Sequence, residues 1–212
     1  MAKELERRFY TFEPNAEKRD DGTAQISGRP IVYNSSADIG GMFREIIMPG
    51  ALDGADLRDV PLLVNHNRDM IPVARSRRNN GNSTMQLFTD TDGMKFTASL
   101  DVARNATAAE LYSAVERKDI SGMSFAFRVD DERWEGLETD YPTRYINRVS
   151  NIREISAVTF PAYDATEINA RCKDALDSAR ADLERSRQQS EKDVDTSEIE
   201  LLQAKALFKS KI

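Results

Sequence analysis

The chain has 212 residues, 40% of them apolar and 31% charged, with a net charge of −6 and a pI near 5.0. That suits one ordinary domain with an appendage, and the acidic balance excludes a protein whose main task is gripping nucleic acid. A single cysteine rules out an internal disulfide framework and, with a single histidine beside it, leaves no zinc site. The opening Met1-Ala2-Lys3-Glu4-Leu5-Glu6 has no apolar signal core, and no run approaches the roughly 18 apolar residues of a membrane span. The expectation is a cytoplasmic chain that needs no cofactor, metal or membrane.

In chain order, residues 7 to 165 read as short β-runs divided by turns: Phe9–Phe12, Ala24–Tyr33, Met42–Met48, Val60–Asn65, Met85–Thr89, Met94–Leu100, Met123–Val129, Arg144–Val149 and Ile152–Phe160. Asp90-Thr91-Asp92-Gly93 predicts a hairpin between two of them. Met94, Phe96, Ala98 and Leu100 alternate with Lys95, Thr97 and Ser99, as in a strand with one buried face. Thr107-x-x-Glu110 reads as a capping box, opening a helix with Ala108, Leu111, Tyr112 and Val115 along one face. Many strands and few helices predict a mainly β, α+β domain: a small barrel or sandwich with helices outside.

Composition changes near residue 170. Residues 171–212 contain no Gly or Pro, and acidic and basic residues are balanced. Cys172, Leu176, Ala179 and Leu183 form an apolar stripe at helical spacing, the chain turns polar and is expected to fray around Gln188–Lys192, and Ser197-x-x-Glu200 restarts a helix before Leu201-Leu202. The division is therefore a β domain over 1–170 and a charged helical tail over 171–212, read either as a solvated extension or as a docking and self-cleavage arm.

His66, the only histidine, ends the run Val60-Pro61-Leu62-Leu63-Val64-Asn65-His66, so any base-activated nucleophile must use it. Ser124 lies in Gly122-Met123-Ser124-Phe125-Ala126-Phe127, where alternation sends Met123, Phe125, Phe127 and Val129 to the core and Ser124 to the opposite, open face. No histidine follows the serine, which excludes the hydrolase elbow order. Ser121 reads as the end of a turn. Two other readings stay open on these residues: a non-catalytic assembly chaperone in which His66 and Ser124 are structural, and a cysteine enzyme using Cys172.

Four segments in this order, Met48-Pro49-Gly50-Ala51-Leu52, Leu62-Leu63-Val64-Asn65-His66-Asn67, Gly122-Met123-Ser124-Phe125-Ala126-Phe127 and Glu154-Ile155-Ser156-Ala157-Val158-Thr159-Phe160-Pro161-Ala162-Tyr163, resemble the prohead proteases of tailed bacteriophages, over roughly residues 8 to 170. That family is similar in fold to the herpesvirus assembly proteases. The resemblance implies a single closed antiparallel β-barrel ringed by helices, with Ser124 as nucleophile and His66 as general base on its outer wall. It further implies a maturation protease enclosed in the procapsid within the bacterial host, acting on the scaffold segment of the major capsid protein and on itself, as a monomer or homo-oligomer. Herpesvirus enzymes orient the base with a second histidine. A carboxylate must replace it here to fix the imidazole tautomer. Glu154 is the first choice, because it opens the Glu-Ile-Ser motif on the strand after the serine strand. Asp101, Glu45 and Asp130 stand behind it, and ion pairing with Arg153 or Arg148 is the structural alternative for Glu154. Backbone N–H groups are expected to form the oxyanion hole.

Overall fold

The computed structural model describes residues 5–11, 15–18, 23–78, 81–159 and 176–193. In order, these are β1 (Glu6–Thr11), β2 (Asn15–Lys18), β3 (Ala24–Val32), β4 (Ser36–Ile39), β5 (Phe43–Ile47), β6 (Asp59–Val64), β7 (Ala74–Arg77), β8 (Met85–Asp90), β9 (Gly93–Leu100), α1 (Ala106–Glu116), β10 (Gly122–Glu135), β11 (Thr143–Val158) and a helix α2 over 176–193. The expected mainly β, α+β composition holds. The short polar strands β2, β4 and β7 carry too little apolar alternation to be seen in the sequence. The two runs expected at Arg144–Val149 and Ile152–Phe160 are one long strand, β11, which slips register against β10 around Phe127–Glu132 and so continues through the polar Ser150-Asn151.

The closed antiparallel barrel is not what the described residues form. Their strands make two sheets, one ordered β1-β10-β11-β5-β4 with β6 on β11 and β7 on β6, the other β2-β3-β9-β8. Two pairings are parallel, β11 with β5 through Thr143–Ile146 and β11 with β6 through Ile155–Ala157. The seam between β7 and the entry to β8 shows why a ring does not close there. Thr84 Oγ1 accepts from the Arg75 amide (2.9 Å) and donates to the Arg75 carbonyl (3.3 Å), and Ser83 Oγ does the same at Arg77 (2.9 and 3.1 Å). Side-chain hydroxyls thus stand in for a backbone ladder.

The core lies between the sheets. Ile26, Ile31, Leu62, Met85, Leu87, Met94, Phe96, Phe125, Phe127 and Ile155 are all buried in one cluster, as the alternation in β9 and β10 predicts. The β8–β9 hairpin turns where expected, and Gly93 is required there: its φ is +137°, and a Cβ would come within 2.0 Å of the Ile31 carbonyl oxygen. Helix α1 buries Ala108, Leu111 and Val115 as predicted, but its N-cap is Asn105, not Thr107; Asn105 Oδ1 accepts from the Ala108 amide at 3.1 Å.

Glu6, Arg8, Glu45, Arg144 and Asp182 are five charged side chains buried together, with the partly exposed Glu132 at their edge. Arg8 meets both oxygens of Glu45 (2.5 and 2.7 Å) and Glu6 (2.6 Å), while Arg144 meets Glu6 (2.5 and 2.9 Å), Glu45 (3.0 Å) and Glu132 (2.7 Å). Burial pushes Glu6 up, but Arg144 and Arg8 outweigh it and hold its carboxyl below the ordinary range. The fifth is Asp182 of α2, whose Oδ2 lies 3.9 Å from Arg144. Around it α2 packs Ala179 and Leu183 against Phe43, which contacts Trp134 edge-on, and Arg187 donates to the carbonyls of Leu137 and Thr139. Two residues of the predicted stripe, Ala179 and Leu183, therefore pack on the domain, and the helix runs through 188–192 without the expected fraying. Cys172 and the second helix expected at Ser197 lie outside the described residues.

Asp182 carries a testable consequence. Burial, then the nearby Glu6 carboxylate, push its pKa up to about 6. The folded chain therefore holds this proton at pH values where the unfolded chain, near 3.8, has released it, so stability contributed here is complete below pH 4 and is lost as pH rises toward 6. Asp182→Asn is expected to raise the stability at pH 7 by about 1–3 kcal/mol, a gain that vanishes toward pH 4. Thermal unfolding followed by the fluorescence of Trp134, the only tryptophan, measures it; equal melting temperatures at pH 7 would refute it.

Candidate active site

The site is assembled at the C-terminal end of β6. Val60 and Leu62 are buried there, and parallel pairing sets Leu62, Leu63 and Val64 against Ile155, Ser156 and Ala157. The chain then reverses sharply. Asn65 and His66 both take positive φ (50° and 56°), and the Asn67 amide donates to the Val64 carbonyl at 3.0 Å, the pattern of a type I′ turn. Asn tolerates that conformation well, and its side chain is also used. Asn65 Oδ1 accepts from the Thr159 amide and Asn65 Nδ2 donates to Thr159 Oγ1, both at 3.0 Å, while the Asn65 amide donates to the Ala157 carbonyl at 2.9 Å. The turn is thereby tied to the end of β11, and His66 is held over that strand.

On β11, Glu154 and Ser156 are two residues apart and share a face; β10 sets Ala126 opposite Glu154 and Ser124 opposite Ser156. The other face of the same strands, with Met123, Phe125, Ile155 and Ala157, is core. His66 Nδ1 lies 2.5 Å from Glu154 Oε1 and 3.3 Å from Ser156 Oγ, and Arg68 Nε donates to Glu154 Oε2 at 2.9 Å. The imidazole and the Glu154 carboxylate are both almost fully buried, at 6% and 2% side-chain exposure. Burial raises the pKa of Glu154, but the hydrogen bonds from His66 and Arg68 more than offset it, so the carboxyl is held below its ordinary value and is ionised at neutral pH. An ionised carboxylate accepts only, so Nδ1 carries the proton and the lone pair of neutral His66 sits on Nε2.

Of the candidate acids, only Glu154 contacts His66 among the described residues. Asp101 pairs with Arg104 and Asp130 with Arg148, both at the surface, and Glu45 belongs to the buried Arg8–Arg144 cluster. The ion-pair partner of Glu154 is Arg68, not Arg153 or Arg148. Ser121 borders a separate cavity of about 420 Å³ with Val115, Lys118 and Ile120. Ser124 departs from expectation. It is fully buried instead of facing an open groove, and its Oγ donates to the Arg8 carbonyl of β1 at 2.7 Å. Arg68, Ser156 and the tying role of Asn65 were missed in the sequence; Ser156 was within reach, since it stands two residues from Glu154 on a strand.

Comparison with known proteins decides the class. The family model for the caudovirus prohead serine protease matches residues 11–180. The chain belongs to that family. The prohead protease described here is thus a serine peptidase of phage capsid maturation. The solved structure of the bacteriophage T4 capsid assembly protease gp21 aligns over 74% of this chain and 99% of its own, at 11% identity and a TM-score of 0.38. No curated protein sequence matches. No helix among the described residues is long and apolar enough to cross a membrane.

Proposed function

We propose that this prohead protease cleaves scaffold segments of the major capsid protein, and its own chain, inside the procapsid, through an acyl-enzyme on Ser124 with His66 as general base and Glu154 as the acid that orients it. The contact between His66 Nδ1 and Glu154 Oε1 carries the reading. It fixes the tautomer and stabilises the imidazolium that forms when the base takes a proton. Nε2 removes the proton of Ser124 Oγ as that oxygen bonds to the scissile carbonyl carbon. The tetrahedral adduct collapses with cleavage of the C–N bond, and the imidazolium gives its proton to the departing amine. Water repeats the sequence on the ester and regenerates Ser124.

Ser156 is a poorer nucleophile on the same geometry. It meets Nδ1, whose proton is committed to Glu154, and so faces the wrong side of the ring to be deprotonated. The bond from Ser124 to the Arg8 carbonyl describes a resting enzyme. Rotation about the Ser124 Cα–Cβ bond must exchange that acceptor for the imidazole, in keeping with catalytic hydrogen bonds that tighten only when substrate is bound. Glu154→Gln is the test. It preserves shape but removes the charge, and kcat/KM toward a peptide substrate is expected to fall about 10²-fold or more with folding intact. Cleavage at the parental rate by folded Glu154→Gln would remove the acid from the mechanism and leave a Ser–His dyad.

A further inference from the structure

We infer that Arg68 is a positioning residue for the catalytic pair, holding the second oxygen of Glu154 so that the first stays on His66 Nδ1. The inference rests on the proposed roles of His66 and Glu154. Arg68 lies two residues beyond His66, so the turn that presents the base also returns a cation to the carboxylate that orients it. Its Nε reaches Glu154 Oε2 at 2.9 Å while Oε1 is engaged by His66 at 2.5 Å. With both oxygens held, the carboxylate cannot rotate away from the imidazole. Nearly half of the Arg68 side chain is exposed, but its partner is 2% exposed. An ion pair between two solvated groups contributes little; here one partner is a buried carboxylate that would otherwise rely on His66 alone.

The arrangement has an electrostatic consequence that simple scaffolding lacks. Among the described residues, His66 and Arg68 are the charged or titratable groups that act most strongly on Glu154. From β10 the facing residue is Ala126 and along β11 it is Ser156, neither of them charged. A guanidinium beside Glu154 helps hold its carboxyl ionised and, as a positive charge beside the pair, opposes the addition of a further proton there. Removing it must move proton uptake, and the acid limb of the rate, to higher pH.

The test follows phosphonylation of Ser124 by a fluorophosphonate as a function of pH, which needs no knowledge of the natural cleavage site. In the full-length Arg68→Ala enzyme the acid limb is expected to shift upward by about one pH unit, with a smaller loss on the alkaline plateau. Arg68→Gln retains length and a donor but not the charge, and should shift the limb likewise if Arg68→Ala does not fold. Arg68→Lys retains the charge and should lower the rate without moving the limb. A folded Arg68→Ala or Arg68→Gln enzyme whose limb coincides with the parent, or moves to lower pH, overturns the positioning role while leaving the Ser124–His66–Glu154 reading intact. Absence of phosphonylation at Ser124 in the parent overturns both.

Discussion

Ser124→Ala and His66→Ala are each expected to lower kcat/KM by about 10³- to 10⁶-fold, and the double substitution to be little worse than either alone, because nucleophile and base act as a unit. His66 is the only histidine, so no second imidazole can replace it. The informative controls are the two neighbouring serines. Ser121 borders a different cavity, and Ser121→Ala should retain most activity. Ser156 sits directly across from Ser124 and touches His66 Nδ1 at 3.3 Å, so Ser156→Ala should weaken the orientation of the ring without abolishing turnover. Mass spectrometry of the phosphonylated enzyme distinguishes them directly. A label on Ser156, or substantial proteolysis by Ser124→Ala, would move the nucleophile and sink the assignment.

The largest effect on stability is expected at Arg144. Arg144→Ala leaves Glu6, Glu45 and Glu132 facing one another with Arg8 as their remaining buried cation. Breaking a buried ion network by removing one partner costs about 3–5 kcal/mol, a large part of the roughly 5–15 kcal/mol that holds a domain together. It also removes the base on which Asp182 and α2 rest and the cation lying over the Trp134 ring. The melting temperature should fall by about 10 °C or more. Acidification should recover part of the loss, as the abandoned carboxylates protonate. An Arg144→Ala protein that melts within about 2 °C of the parent would show that the cluster is not needed for folding.

Local chemistry made much of this protein legible in its sequence. Period-2 alternation identified β9 and the core face of β10, the Asp90–Gly93 turn identified a hairpin, and the helical spacing of Ala179 and Leu183 identified a helix, though not that it packs on Phe43. A lone histidine left one candidate for a base, the family resemblance pointed to Ser124, and strand position made Glu154 the first choice of acid. These signals survive in one dimension because each depends on residues a few positions apart.

What the tertiary structure alone decided involves partners distant in sequence. Glu154 was the first choice among four candidate acids, but its contact with His66, 88 positions away, comes only from the parallel pairing of β6 with β11. The contact of Arg68 with Glu154 depends on that same pairing. Ser124, expected on an open face by alternation, is buried, with its Oγ bonded to the Arg8 carbonyl of the neighbouring strand β1. Two strands a ring would have joined are linked by the hydroxyls of Ser83 and Thr84 instead of a backbone ladder. Nothing in the sequence pairs Arg8, Glu45 and Arg144, and Glu45 stood there as a fallback acid; folding makes them a buried cluster, since the strands that carry them meet only in the assembled sheet. Alternation tells a side chain which face of its own strand to take. Only the pairing of strands determines what covers that face.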